Sequence, residues 1–247
     1  VELHMKRDTI AMHTVSSDVY EVDDYSLGIV NISLFGEKTG EEWEKQTKAL
    51  VERGIDGLVI DVRGNPGGYL YSVSTIIGTL LPNGSTFAYM QDAKGVLEML
   101  NTEKKDNQYL NKLPVVLLQN GGSASASEVL AGALKDNKRA MIVGEKSFGK
   151  GTVQETHPLQ NGGKLKISTH KWLTPKQEWI HHKGIQADLQ VEPDELYMMD
   201  IKYYQGNFHV GDFGEEVKYV QQVLGALGYN ISRQDGYFDE DTQDAIE

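Results

Sequence analysis

The chain has 247 residues, 39% of them hydrophobic and 24% charged, and contains no cysteine. That composition excludes disorder, collagen, disulfides, thiolate metal sites and a cysteine nucleophile. The net charge of −12 gathers at the end, with 13 acids against 3 bases between Val191 and Glu247, which marks off a second module and argues against a phosphate-backbone partner. Polypeptides or neutral polymers are the expected partners, and nucleic acid is not. Apolar runs such as Gly57 to Val62 fall far short of the roughly 20 residues a membrane helix needs.

In chain order, Val1, Leu3 and Met5 alternate with polar residues, so Val1 to Arg7 reads as a strand and not as a signal peptide. A polar, β-branched stretch follows to Asp24. Strand Leu27 to Leu34, helix Gly40 to Arg53 and buried strand Gly57 to Val62 then form a βαβ unit. The turn Arg63-Gly64-Asn65-Pro66-Gly67-Gly68 opens a helix over Tyr69 to Leu81, closed by Pro82-Asn83-Gly84. Leu113 to Leu118 is a second buried strand, leading through a Gly/Ser/Ala turn into a helix over Ser125 to Lys135. Further strands are read at Ala140 to Val143, Thr152 to Glu155 and Lys164 to Leu173. This alternation predicts an α/β core with a mainly parallel sheet. The tail changes period: Val217, Val220, Val223, Leu224 and Leu227 make one helical stripe, opened by Asp212 with Glu215 and closed by Gly228.

Small residues alone, Asn120-Gly121-Gly122-Ser123-Ala124-Ser125-Ala126-Ser127-Glu128, join a buried strand to a helix start. Serines there are read as helix caps on position alone. The same geometry would place a nucleophilic hydroxyl beside free N–H groups and a positive dipole end. A base is then needed. None of the seven histidines has a His-Glu-x-x-His spacing, and His181-His182, a poor chelate because it would point to opposite faces if extended, is read as a solvated loop, so no metal site is expected. Lys150 is the better candidate: with Lys150 to Gln154 extended, Lys150, Thr152 and Gln154 share one face, so the Gln154 amide can orient the Lys150 amine. Gly144, Gly149 and Lys150 also approach a P-loop, but Gly151 stands where the magnesium-binding Ser or Thr belongs. Gly67 and Gly68 offer backbone donors that a ligand can approach closely, the second half of an oxyanion hole whose first donor would be the Ala126 N–H.

Three segments, Val62 to Gly68, Gly122 to Glu128 and Ser147 to Gln154, together resemble the carboxy-terminal processing proteases, also called tail-specific proteases. The resemblance implies a ClpP/crotonase-like serine protease core within the α/β class, carrying a small helical C-terminal module. It implies that Ser125 is the nucleophile, Lys150 the general base and Gln154 its orienting group, with Gly68 and Ala126 as backbone oxyanion donors and no metal or cofactor. Ser125 is singled out among the three serines by that resemblance. Residues 1–23 resemble the last strand of a PDZ domain plus a linker, residues 24–195 the Ser/Lys protease core, and residues 205–247 a truncated peptidoglycan-binding-like helical module. The expected function is a serine endopeptidase cleaving protein or peptide substrates near their C-termini in an extracytoplasmic space. A catalytically silent peptide-binding or scaffold protein on the same fold is the alternative, with an acyl-CoA enzyme of crotonase type third. Whether the tail contacts cell-wall glycan or makes a homodimer stays open at this point. Its acids Asp235, Asp239, Asp241 and Asp244 do not fit EF-hand spacing and are read as caps and solvated charges.

Overall fold

The computed structural model describes residues 12–103, 109–192, 199 and 207–246. The strand expected over Val1 to Arg7 lies outside them. The chain divides between Val191 and Glu192 into two units.

Six strands form the first unit's main sheet in the order β1-β2-β3-β6-β7-β10. They are β1 (Val15–Val22), β2 (Tyr25–Ile32), β3 (Gly57–Asp61), β6 (Val115–Gln119), β7 (Met141–Gly144) and β10 (Leu189–Gln190). Only β1 with β2 is antiparallel; every other neighbouring pair is parallel. The stretch read as linker is thus β1, paired along its whole length with β2, and residue 23 falls in the turn between them. Its polar composition is what an edge strand carries, since one side faces solvent.

Crossover helices α1 (Thr39–Glu52), α2 (Leu70–Leu80) and α3 (Ala126–Asp136) connect the parallel strands, α1 packing on α2 and α2 on α3. Between helices and sheet lie Phe35, Trp43, Leu58, Ile60, Ile76 and Leu117, none more than 2% exposed. The Trp43 indole donates to the Thr79 hydroxyl at 3.0 Å, so this large core side chain leaves no buried donor unpaired.

A second, antiparallel sheet in the order β5-β4-β9-β8 was not foreseen. Its strands β8 (Thr152–Pro158) and β9 (Lys164–Leu173) coincide with predicted ones, whereas β4 (Thr86–Gln91) and β5 (Leu97–Asn101) had no predicted counterpart. Strand β5 is mostly exposed and β4 only partly buried, so neither shows the continuous apolar run that betrays β3 and β6.

In the second unit, α4 (Glu215–Ala226) and α5 (Glu240–Ile246) enclose a small core of Val217, Leu224 and Phe238. Buried Gln221 ties it together, donating to the Tyr237 carbonyl at 2.8 Å and the Thr242 hydroxyl at 3.0 Å while accepting the Gly236 N–H. The predicted stripe holds at Val217 and Leu224, but Leu227 is 55% exposed because it follows the last turn. The helix starts at Gly214, not Asp212, whose carboxylate instead accepts the His209 N–H. Asp239 caps α5 through the Thr242 N–H at 2.9 Å, and Asp235 pairs with Arg233, in keeping with the reading of those acids.

Candidate active site

Adjacent parallel strands end side by side, so the loops after β3, β6 and β7 emerge together at one edge of the main sheet. In open α/β sheets, ligands are held at the carboxyl ends of strands. These three loops are the three segments singled out in the sequence. Side chains and backbone stitch them: the Asn120 side-chain oxygen Oδ1 accepts the Gly64 and Gly122 N–H groups at 2.8 and 3.0 Å, and the Phe148 N–H donates to the Ser123 carbonyl at 3.0 Å. Asn65, fully buried, donates to the Ile32 carbonyl and accepts the Gly67 N–H, fixing the glycine turn to β2.

The three serines have different surroundings. Ser123 is buried, its hydroxyl donating to the Val62 carbonyl at 2.7 Å and accepting the Asn120 N–H at 3.0 Å. Ser127 is buried as well and donates to the Asn65 carbonyl at 3.0 Å. Ser125 alone of the three lines a cavity of about 460 Å³. Its backbone, at φ 56° and ψ −114°, lies outside the regions favoured for non-glycine residues, a conformation costing on the order of 1–3 kcal/mol that concentrates at functional sites.

The same cavity is lined by Lys150, Gln154, Gly68 and Ala126, so every candidate residue meets in one place. Neither the Gly68 nor the Ala126 N–H has a hydrogen-bond partner among the described residues, leaving two backbone donors beside the Ser125 hydroxyl. Gly68 sits at φ 144°, where a Cβ would fall 2.1 Å from the Phe35 carbonyl oxygen, so only glycine fits. Leu70, Ala88, Met90, Leu100, Val129 and Trp172 supply an apolar wall. Gln154 makes no hydrogen bond to Lys150 among the described residues. A β-bulge between Val153 and Gln154 breaks the strict alternation assumed for the strand, although Lys150, Thr152 and Gln154 still face one cavity.

Sequence reasoning missed what seats Lys150. The Glu128 carboxylate, fully buried, accepts four bonds: Ser147 Oγ and the Gly149 N–H, each at 2.6 Å, on Oε1, and the Lys150 N–H at 2.7 Å with the Ser125 N–H at 2.9 Å on Oε2. The loop N–H groups that a P-loop would turn to phosphate are therefore occupied by a carboxylate. Around the next peptide, the Trp172 indole donates to the Lys150 carbonyl at 2.8 Å and the Trp179 indole to the Gly151 carbonyl at 2.9 Å. The Gly151 N–H donates to His181 Nδ1 at 3.3 Å. The pair His181-His182 lies in a turn, in keeping with the loop read for it, with His182 exposed at φ 61° and the two rings 4.0 Å apart. Only Glu128 had a signal, standing three residues after Ser125 where a capping-box acid belongs.

The family profile described as peptidase family S41 matches residues 26–191. The chain belongs to peptidase family S41. All three loops fall within the matched region. The carboxy-terminal processing protease CtpB of Bacillus subtilis is 36% identical over 252 residues, an alignment covering 100% of this chain and 51% of that protein. The same organism's carboxy-terminal processing protease CtpA is 34% identical, with 98% and 50% covered. The chain thus spans about half the length of these S41 relatives. Among solved structures, the photosystem II D1 C-terminal processing protease superposes with a TM-score of 0.66 at 29% identity, covering 76% of this chain and 51% of that one. A second profile, a putative peptidoglycan binding domain, matches residues 213–247.

Proposed function

We propose that this S41 chain is a serine endopeptidase of the carboxy-terminal processing type. Ser125 is its nucleophile, Lys150 its general base, Gln154 the group that orients the base, and the Gly68 and Ala126 N–H groups its oxyanion donors. One observation carries this reading: a strained, cavity-facing serine shares about 460 Å³ with a half-buried lysine and two unpartnered backbone donors.

The chemistry follows from those groups. The Ser125 Oγ proton passes to the neutral Lys150 amine as Oγ attacks the substrate carbonyl carbon. The carbonyl oxygen gains the negative charge, and the Gly68 and Ala126 N–H groups stabilise it; one such donor is worth about 10²–10³ in kcat. Collapse of the adduct breaks the C–N bond, and the amine leaves with the proton held by Lys150. Water then attacks the acyl-Ser125 ester, giving a proton to Lys150, which returns it to Ser125 Oγ as the ester C–O bond breaks. No step needs a metal or cofactor. The apolar wall supports an aliphatic side chain beside the scissile bond.

The names of the relatives support protein substrates cut near their C-termini, and residues 213–247 support contact with the cell wall, hence an extracytoplasmic location. No helix among the described residues is long and apolar enough to cross a membrane. A silent peptide-binding protein on the same fold is less well supported, since nothing in peptide capture calls for a strained serine facing a lysine. Incubation with an unfolded protein, with and without EDTA, tests the reading: the parent should cleave it in both, and Ser125→Ala in neither. Cleavage by Ser125→Ala, or inhibition by EDTA, would refute it.

A further inference from the structure

We propose that Glu128 is a positioning residue: one buried carboxylate oxygen, receiving the N–H groups of both Ser125 and Lys150, holds nucleophile and base in register. The proposal rests on the Ser125/Lys150 reading above. The two residues belong to different elements, the start of α3 and the loop before β8, and strands of the main sheet reach them separately. Through Oε2 their main-chain nitrogens lie no farther apart than the two bonds laid end to end.

A helix cap alone would not require this arrangement. A capping-box acid satisfies one donor, the N-cap N–H, and here that is the Ser125 bond. Three of the four donors instead belong to the segment Ser147 to Lys150. All four donors on the buried Glu128 carboxylate are neutral, so its burial is offset by hydrogen bonds and not by an ion pair among the described residues. An amide could not replace it. Oε2 receives two backbone N–H groups and Oε1 receives one together with the Ser147 hydroxyl, so an amide nitrogen at either position would face a backbone N–H, and a nitrogen cannot accept.

Further bonds anchor the carboxylate from behind. Ser147 Oγ donates to Oε1 and itself accepts the Ile185 N–H at 2.6 Å, while the Gln119 amide donates to the Ile185 carbonyl at 2.8 Å. Gln119 closes β6, the strand leading to Ser125. The Ser125 N–H bond also fixes the residue whose φ is 56°. Loss of the carboxylate should therefore free both partners at once.

Glu128→Gln tests this with two readouts. In the first, kcat on an unfolded substrate should fall about a hundredfold with KM within about twofold, and labelling of Ser125 by a fluorophosphonate should slow in parallel, while circular dichroism and melting show a folded protein. In the second, the amide protons of Ser125, Gly149 and Lys150 should resonate far downfield in the parent and move upfield together in the variant, whatever the activity. Parental kcat per folded molecule, or amide resonances that stay where they were, would overturn the proposal. Should Glu128→Gln not fold, Ser147→Ala removes one donor from the carboxylate and should lower kcat about threefold and shift the Lys150 amide; no change in either would overturn it. A parent that cleaves nothing, with amides that still move together, would sink the peptidase reading and leave the shared anchor standing.

Discussion

A Cβ built on Gly67 would lie 2.8 Å from the Cβ of Ser125, and 2.7 Å from the Ala124 carbonyl oxygen. The glycine turn is thus packed directly on the proposed nucleophile, and this close approach, next to the proposed oxyanion donor Gly68, requires that residue 67 have no side chain. Gly67 also sits at φ 104°, which alanine reaches only under strain. Gly67→Ala should reduce kcat at least a hundredfold, since the turn and Ser125 must separate. Purified Gly67→Ala with parental kcat would show that the contact is irrelevant to the site.

The three serines should separate cleanly by function. Ser123→Ala leaves the Asn120 N–H without its bond and the Val62 carbonyl with only the Asn65 N–H, costing about 1–3 kcal/mol of stability, whereas Ser127→Ala leaves the Asn65 carbonyl still bonded to the Ala124 N–H and costs about 0.5–1.5 kcal/mol. Activity per folded molecule should survive in both. Ser125→Ala should melt like the parent and be inactive. Denaturant titrations beside initial rates decide it, and a folded but dead Ser127→Ala would refute the assignment of Ser125 as nucleophile.

Stability should depend on Asp188 in a pH-specific way. Burial alone would raise its pKa, but the Lys135 ammonium at 2.6 Å and the Ile142 N–H at 2.9 Å outweigh that and hold it below the ordinary carboxylate range. A carboxylate with a depressed folded-state pKa stabilises the fold above its unfolded value and loses that contribution as pH falls through the folded one. Asp188→Asn should therefore be less stable than the parent at pH 7, with the gap closing as pH drops below the ordinary carboxylate range. Urea melts across that range check it, and a gap that widened on acidification would contradict the assignment.

Much of the main sheet can be read from composition and period because β3 and β6 are almost wholly apolar, as strands covered on both faces must be. The glycine turn and the Gly/Ser/Ala turn are visible for the same local reason: only small residues allow the close approaches found at Gly67, Gly68 and Gly122. Strands β4 and β5 are not legible, since they are half-exposed and owe their place to pairing with β9 and each other. The seat of Lys150 is hidden for a further reason. Trp172, Trp179, His181 and Glu128 lie between 22 and 30 residues from the Lys150 and Gly151 groups they hold, and no local pattern encodes such pairings. The bulge at Val153/Gln154 likewise escapes the period-two reading of β8.

The central claim is that Lys150 takes the Ser125 proton, and Lys150→Arg tests it most directly. A guanidinium keeps its charge and similar length but does not give up a proton at any workable pH, so it cannot act as the base. Measured on an unfolded protein substrate, with circular dichroism matching the parent, Lys150→Arg should show no turnover above that of Ser125→Ala. Clear turnover by folded Lys150→Arg would contradict the Ser/Lys mechanism.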